Sequence, residues 1–385
     1  MSATPIAEDT RFCCRQPAKM DSVVFLPVAP QVVARTRFSP PTPVRSQCLM
    51  VPEAMDMLDQ AMKERGEKII MVALAGPGDP LATPDTTLHA IRLIRRNYPK
   101  MRIGLNTIGL DSERLAGELA RAGLNFVEMQ VDGIKAEVLK KIYAWIRPGL
   151  KTLKIGDAVD LLIREQRNGV PALNFHNIKV TIRTTLYPGL NIDHVTKIGA
   201  AMMVLGASGM ALTPYAPEPG TEVDLQCPAP ETVLAVTEKV RAFLPIAEPL
   251  FPDQPGVVTG SEVVATHPRP TGERPNVAVV SSNGIEVDLH LGQAIKLLIY
   301  GPRQDGLPCL LESRDAPEPG KGPERWSELA AVLHDCFVIL AASAGGIPRR
   351  ILAEAGIKVL LTEDNIAGTV DVLYGGGKKG KKGKK

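Results

Sequence analysis

Lys68-Ile69-Ile70-Met71-Val72-Ala73-Leu74-Ala75 runs directly into Gly76-Pro77-Gly78-Asp79-Pro80-Leu81, and this junction decides the fold. An unbroken aliphatic run without polar alternation reads as a strand buried on both faces, the kind found in parallel sheets. Glycines at its carboxyl end let a backbone approach a ligand closely, and Asp79 adds an acceptor at the mouth. Working outward, the same logic predicts strands at 101–107, 124–131, 178–186 and 208–213. Between them it predicts helices at 52–65, 86–97, 111–122, 135–145, 157–168, 192–204 and 230–243. Met55, Leu58 and Met62 share one face of the helix at 52–65. Gly123 and Gly169 are read as helix C-caps. Repeated strand–helix units of this order imply right-handed βα crossovers and a parallel α/β sheet.

The flanks set the domain plan. Residues 1–19 form an N-terminal extension, and the barrel domain is expected over 20–250. Residues 31–48 carry Pro40, Pro41 and Pro43 with no strand or helix period, so they are read as loop. Residues 251–275 are proline-rich and read as a linker, and a smaller α/β domain is expected over 276–374. The last residues, 375–385, form a Lys/Gly-rich tail read as disordered. Six of the 45 basic residues lie in that tail, leaving 39 against 42 acidic, net −3, for the rest of the chain. A near-neutral body argues against nucleic acid as a partner. Mean hydropathy is +0.02, and no apolar run reaches the ~20 residues of a membrane helix. With no signal-like apolar segment at the N-terminus, a cytoplasmic location is expected. Cys13, Cys14, Cys48, Cys227, Cys309 and Cys336 form no Cys-x-x-Cys pair, so spacing alone favours no metal site.

Several motifs together carry a resemblance. Phe25–Pro30, Ala75–Ala82, Lys141–Ile146, Tyr187–Asn191 and Pro214–Thr221 resemble, in order, segments of the NifB family of radical S-adenosylmethionine (SAM) enzymes. From Asn276 onward, Leu289–Ala294 and Asp335–Gly346 resemble the NifX-like domain fused behind that barrel. The resemblance implies a partial (β/α) TIM barrel, SAM and [4Fe-4S] clusters as cofactors, and lyase-like radical chemistry making the Fe–S–carbide precursor of the nitrogenase FeMo cofactor. It implies nitrogenase cofactor maturation proteins and cluster donors or carriers as partners. The family's Cys-x3-Cys-x2-Cys falls here on Val32, Thr36 and Ser39, none a thiolate. A later Cys-x-x-Cys is also replaced, and Ile347 follows Gly346 where a cysteine is expected. Two explanations stay open: a degenerate site that carries or scaffolds clusters without cleaving SAM, or a reading-frame error across 31–47.

The resemblance assigns SAM contacts to Gly76, Gly78 and Asp79, with Gln130 and Asp132 at the next strand end and Ile182 and Arg183 beyond. For the glycine turn a plain strand-to-loop role is the alternative; for Asp132 it is a helix cap. His290 is a candidate imidazole ligand in the second domain, or a surface residue. His89, His176 and His194 are read as structural, and Asp157, Asp160 and Glu165 as a solvated helix face. Gly78→Val is expected to abolish SAM binding by intruding on the close backbone approach.

Overall fold

The computed structural model describes residues 22–39, 48–76, 78–150, 153–217, 221, 223, 225–251, 268–303, 308–318 and 322–374. The expected N-terminal extension, most of the proline-rich linker and the tail lie outside these residues.

Six strands form one all-parallel sheet: β1 (Val23–Pro27), β3 (Met71–Ala75), β4 (Arg102–Thr107), β5 (Phe126–Gln130), β7 (Lys179–Leu186) and β8 (Gly209–Pro214), in that spatial order. Helices α1 (Val51–Arg65), α2 (Pro84–Asn97), α3 (Ser112–Ala122), α5 (Ile155–Phe175), α6 (Val195–Val204) and α7 (Pro230–Arg241) supply the crossovers. The result is a partial (β/α) barrel. Alternation along each strand sorts the side chains. Val24, Leu26, Val72, Leu74, Ile103, Leu105, Val127, Met129, Val180 and Ile182 join the large core with the helices. Phe25, Met71, Ala73 and Phe126 point the other way and are closed over by Phe251, whose ring meets Phe25 edge-on at 5.8 Å. This apolar floor leaves only the carboxyl ends of the strands open to a ligand.

Three expectations fail. The helix at 135–145 stops early: α4 spans Ala136–Ile142, and Tyr143–Ile146 becomes strand β6. Its partner lies in the stretch read as loop, where Ala34–Thr36 forms β2 and pairs antiparallel with β6. Tyr, Trp and Ile suit a strand once such a partner exists. Gly169 is no C-cap but lies inside α5, where a Cβ would fall 1.8 Å from Ser112 Oγ; its missing side chain lets α5 approach α3. Gly123, by contrast, caps α3 at φ +106°.

The second unit is a mixed five-stranded sheet in the order β11 (Pro308–Asp315), β10 (Lys296–Pro302), β9 (Asn276–Val279), β12 (Cys336–Ala341), β13 (Lys358–Leu361). Helices α8 (Pro323–Val332), α9 (Gly346–Glu354) and α10 (Ile366–Tyr374) accompany it. It docks on the barrel through the start of α2. His89 Nδ1 lies 2.9 Å from Asp364, Asn365 donates to Asp85 at 3.2 Å, and Gly368 packs on Thr86. His89 thus joins the two units, and Asp364 holds its imidazole above the usual histidine range.

Candidate functional site

The Gly76–Asp79 turn sits where β3 leaves the sheet, and its first partner is the chain itself. Gly78 N donates to Ala29 O and Asp79 N to Gln31 O, both at 2.9 Å. A Cβ on Gly76 would lie 2.2 Å from Ala29 O, and one on Gly78 2.1 Å from Gln31 O. The close approach to the backbone of 29–31 by itself requires glycine at both positions. Asp79 is held in the same turn. It is 6% exposed, and its carboxylate accepts from Leu81 N (2.9 Å), Thr107 Oγ1 (2.8 Å) and Ile108 N (2.8 Å). These bonds tie the exit of β3 to the exit of β4 rather than leaving an open acceptor. Burial pushes its pKa up to about 6 against those three donors.

The next strand ends follow the same pattern. Asp132, 2% exposed, accepts from Gln130 Nε2 (2.6 Å), Thr185 N (3.0 Å) and Tyr143 Oη (3.0 Å). It caps no helix, because Lys135 occupies the N-cap of α4. It is instead a brace joining β5, β7 and β6. Gln130 anchors Asp132 and Thr185 while bordering the cavity described below. Ile182 turns its side chain into the helix-facing core, so only its backbone is available at the strand end. Arg183, next to it, faces inward. Its Nη1 lies 3.3 Å from Glu128 Oε1 and donates to Phe251 O at 2.9 Å. Glu128 Oε2 takes the Leu250 amide at 2.7 Å. This buried ion pair stands directly above the phenylalanine floor; burial raises the Glu128 carboxyl and Arg183 opposes the rise.

Glu128 was not singled out from sequence. The available signal was a carboxylate in the middle of the short, mostly apolar strand Phe126–Gln130. Gln166 was missed as well; from α5 it donates to Ile108 O (2.8 Å) and Gln130 O (2.9 Å), fixing two strand-end loops at once.

Between these braces lies a cavity of about 220 Å³ lined by Gly78, Asn106, Thr107, Glu128, Gln130 and Arg183, among others. Asn106 Oδ1 is buried there with no hydrogen-bond partner. A buried acceptor without a donor is costly, so the cavity suits a small molecule that brings hydrogen-bond donors.

The positions aligned with cluster ligands offer different chemistry. Thr36 Oγ1 and Ser39 Oγ bond to each other at 2.8 Å, and Val32 presents only methyls. Phe38, between them, packs with Tyr187 and Tyr215 at 5.3 and 5.9 Å. Cys48 is buried, donates to Pro27 O at 3.0 Å, and has its thiol pushed far up by burial. Cys336 is buried in the second sheet, its thiol pushed up to about 12. Among the described residues no group of three or more His, Cys, Asp or Glu is arranged to hold a metal ion. His290 is exposed and its Nδ1 accepts from Gly292 N at 2.9 Å, capping a short turn at Leu291–Gln293. That hydrogen bond engages Nδ1 in the local turn.

Comparison with known proteins matches both halves of the chain. A family described as Radical SAM superfamily matches residues 47–200, beginning past Val32, Thr36 and Ser39. One described as Dinitrogenase iron-molybdenum cofactor matches residues 274–374. The FeMo cofactor biosynthesis protein NifB of Chlorobaculum tepidum is 31% identical over 347 residues, covering 86% of this chain and 81% of that protein. NifB of Klebsiella pneumoniae is 25% identical over 364 residues, 81% of this chain and 76% of that protein. A parallel barrel whose strand ends hold a polar cavity, followed by the cofactor domain and matched along four-fifths of a relative, places the chain in the NifB family of radical SAM proteins.

Proposed function

We propose that this chain acts in biosynthesis of the nitrogenase FeMo cofactor and that its barrel binds SAM in the strand-end cavity. The observation that carries the role is the 31% identity extending across both halves of a NifB protein. Membership in the family implies SAM and [4Fe-4S] clusters as cofactors, and the two fare differently here. The SAM reading is supported by Asn106 Oδ1, buried without a donor, and by Gln130 and Arg183, which border the same cavity. Gly76, Gly78 and Asp79 shape the turn beside it, while Asp132 acts through Gln130. SAM, when bound, supplies the 5′-deoxyadenosyl group of the family's radical chemistry.

The cluster is not matched by the residues present. Iron–sulfur clusters take soft thiolates, and Val32, Thr36 and Ser39 offer an isopropyl group and two hydroxyls. This donor set favours a second reading within the same pathway: a carrier or scaffold that receives clusters from donors and passes them on, with His290 as a weak external ligand.

SAM calorimetry on the full chain, followed by anaerobic reconstitution with iron and sulfide, tests both. Measurable SAM binding is expected, lost with Asn106→Leu; its absence in the wild type refutes the cavity assignment. Formation of 5′-deoxyadenosine on reduction would establish the enzymatic role and overturn the carrier. A reconstituted protein that binds SAM without cleaving it supports the carrier.

A further inference from the structure

The ribbon formed by β2 and β6 carries two arginines that have no side-chain hydrogen bond or ion pair among the described residues. Arg35 pairs directly across from Trp145, so the two share a face of the ribbon. Arg147 follows Trp145 by two residues and is held by its own amide to Val33 O at 2.7 Å. Its guanidinium lies over the Trp145 ring, 4.6 Å from the centroid. Arg147 is only 9% exposed, yet its Nε is buried without a partner, and so is the Nε of Arg35. Among the described residues neither guanidinium forms an ion pair or a hydrogen bond through its side chain. The Nε of Arg183 is likewise buried without a hydrogen bond, but its Nη1 meets Glu128 and Phe251 O, and Arg325 is bonded through Nε and Nη1 to carbonyl oxygens; Arg35 and Arg147 have no such bonds among the described residues.

A guanidinium withdrawn from water without an anion is strongly disfavoured. Stacking on indole satisfies one face of the group and leaves its N–H donors aimed in the plane, the fork that matches a carboxylate or phosphate. Arg35, paired across the ribbon from Trp145, is a second cation on that face. Val33 and Ala34, immediately before Arg35, line the strand-end cavity.

We propose that Arg35, Trp145 and Arg147 form an oxyanion-binding site on this ribbon, taking the phosphoryl or carboxylate group of a small anionic ligand. The site is separate from the Arg183–Glu128 pair, whose charge is already matched inside the barrel.

The chain has two tryptophans, so Trp326→Phe makes Trp145 the sole indole reporter. In that background the full-length protein is titrated with inorganic phosphate and, separately, malonate, each against chloride at equal ionic strength. A saturable change in Trp145 fluorescence with one or both oxyanions, absent with chloride, is expected. Response to phosphate alone assigns a phosphoryl ligand, and response to malonate alone a carboxylate. Arg147→Gln should weaken the apparent affinity about tenfold or more, as loss of charge-assisted hydrogen bonds does. Arg35→Gln, at a half-buried position, gives the same test if Arg147→Gln fails to fold. Arg147→Met should leave anion-free stability unchanged or higher, because an unmatched buried charge is removed. Absence of a saturable response in the reporter protein, an equal response to chloride, or unchanged affinity in the arginine variants would overturn the site.

Discussion

Replacing Gly78 with alanine should damage the barrel itself before any ligand is considered. The added Cβ would lie 2.1 Å from Gln31 O and 2.2 Å from Gln31 C, both backbone atoms that cannot swing aside like a side-chain terminus. The turn must therefore move off the 29–31 segment. Two hydrogen bonds, Gly78 N to Ala29 O and Asp79 N to Gln31 O, break with it. At about 1 kcal/mol net each they account for about 2 kcal/mol. Displacing the Asp79 carboxylate also strands the Leu81 and Ile108 amides and adds about 1–3 kcal/mol. The expected loss is about 3–5 kcal/mol, among the large effects of single substitutions. For a unit of this size that corresponds to a Tm lower by about 6–20 °C. Urea unfolding followed by circular dichroism measures it, with Gly272→Ala as the control because a Cβ there meets nothing within 4 Å. If the two variants unfold within about 0.5 kcal/mol of one another, the 29–31 backbone yields freely and the reasoning fails. A Gly78→Val protein that loses SAM binding would then have to be checked for folding before its calorimetry is interpreted.

Asp79 has its carboxyl raised to about 6 by burial, so its charged form is less stable folded than unfolded. Stability should fall as pH rises from about 4 to 6, by up to about 3 kcal/mol, and Asp79→Asn should flatten that part of a urea-midpoint-versus-pH curve; an unchanged slope refutes the assignment. Glu128→Gln strands the Arg183 guanidinium above the apolar floor and should cost about 3–5 kcal/mol, much of it recovered when Arg183→Met is added. A double variant as unstable as the single one would show that packing, not charge, sets the loss. Gly368→Val pushes α10 from Thr86, whose Oγ1 would lie 2.1 Å from the new Cβ. It should loosen the contact between the two units and raise the radius of gyration by small-angle scattering; an unchanged radius contradicts a rigid contact there.

The sequence by itself determined the βα order of residues 69–214, the second α/β unit from Asn276, and the family. These follow from local signals: aliphatic runs buried on both faces, amphipathic helices between them, and motifs read in order along the chain. The tertiary structure alone decided what the candidate residues do. Asp79 and Asp132 read as open acceptors because their partners, Thr107–Ile108 and Thr185, lie 28 to 53 residues away on other strands. The Glu128–Arg183 pair spans 55 residues and is closed by Leu250 from another 67 beyond. The β2–β6 ribbon needed a partner more than a hundred residues away before Tyr143–Ile146 could leave its helix. Strand pairing and chain packing over long sequence separations set these meetings, and no short-range periodicity encodes them. Periodicity tells which residues are buried; only the packed sheet tells against which partner each buried polar group is satisfied.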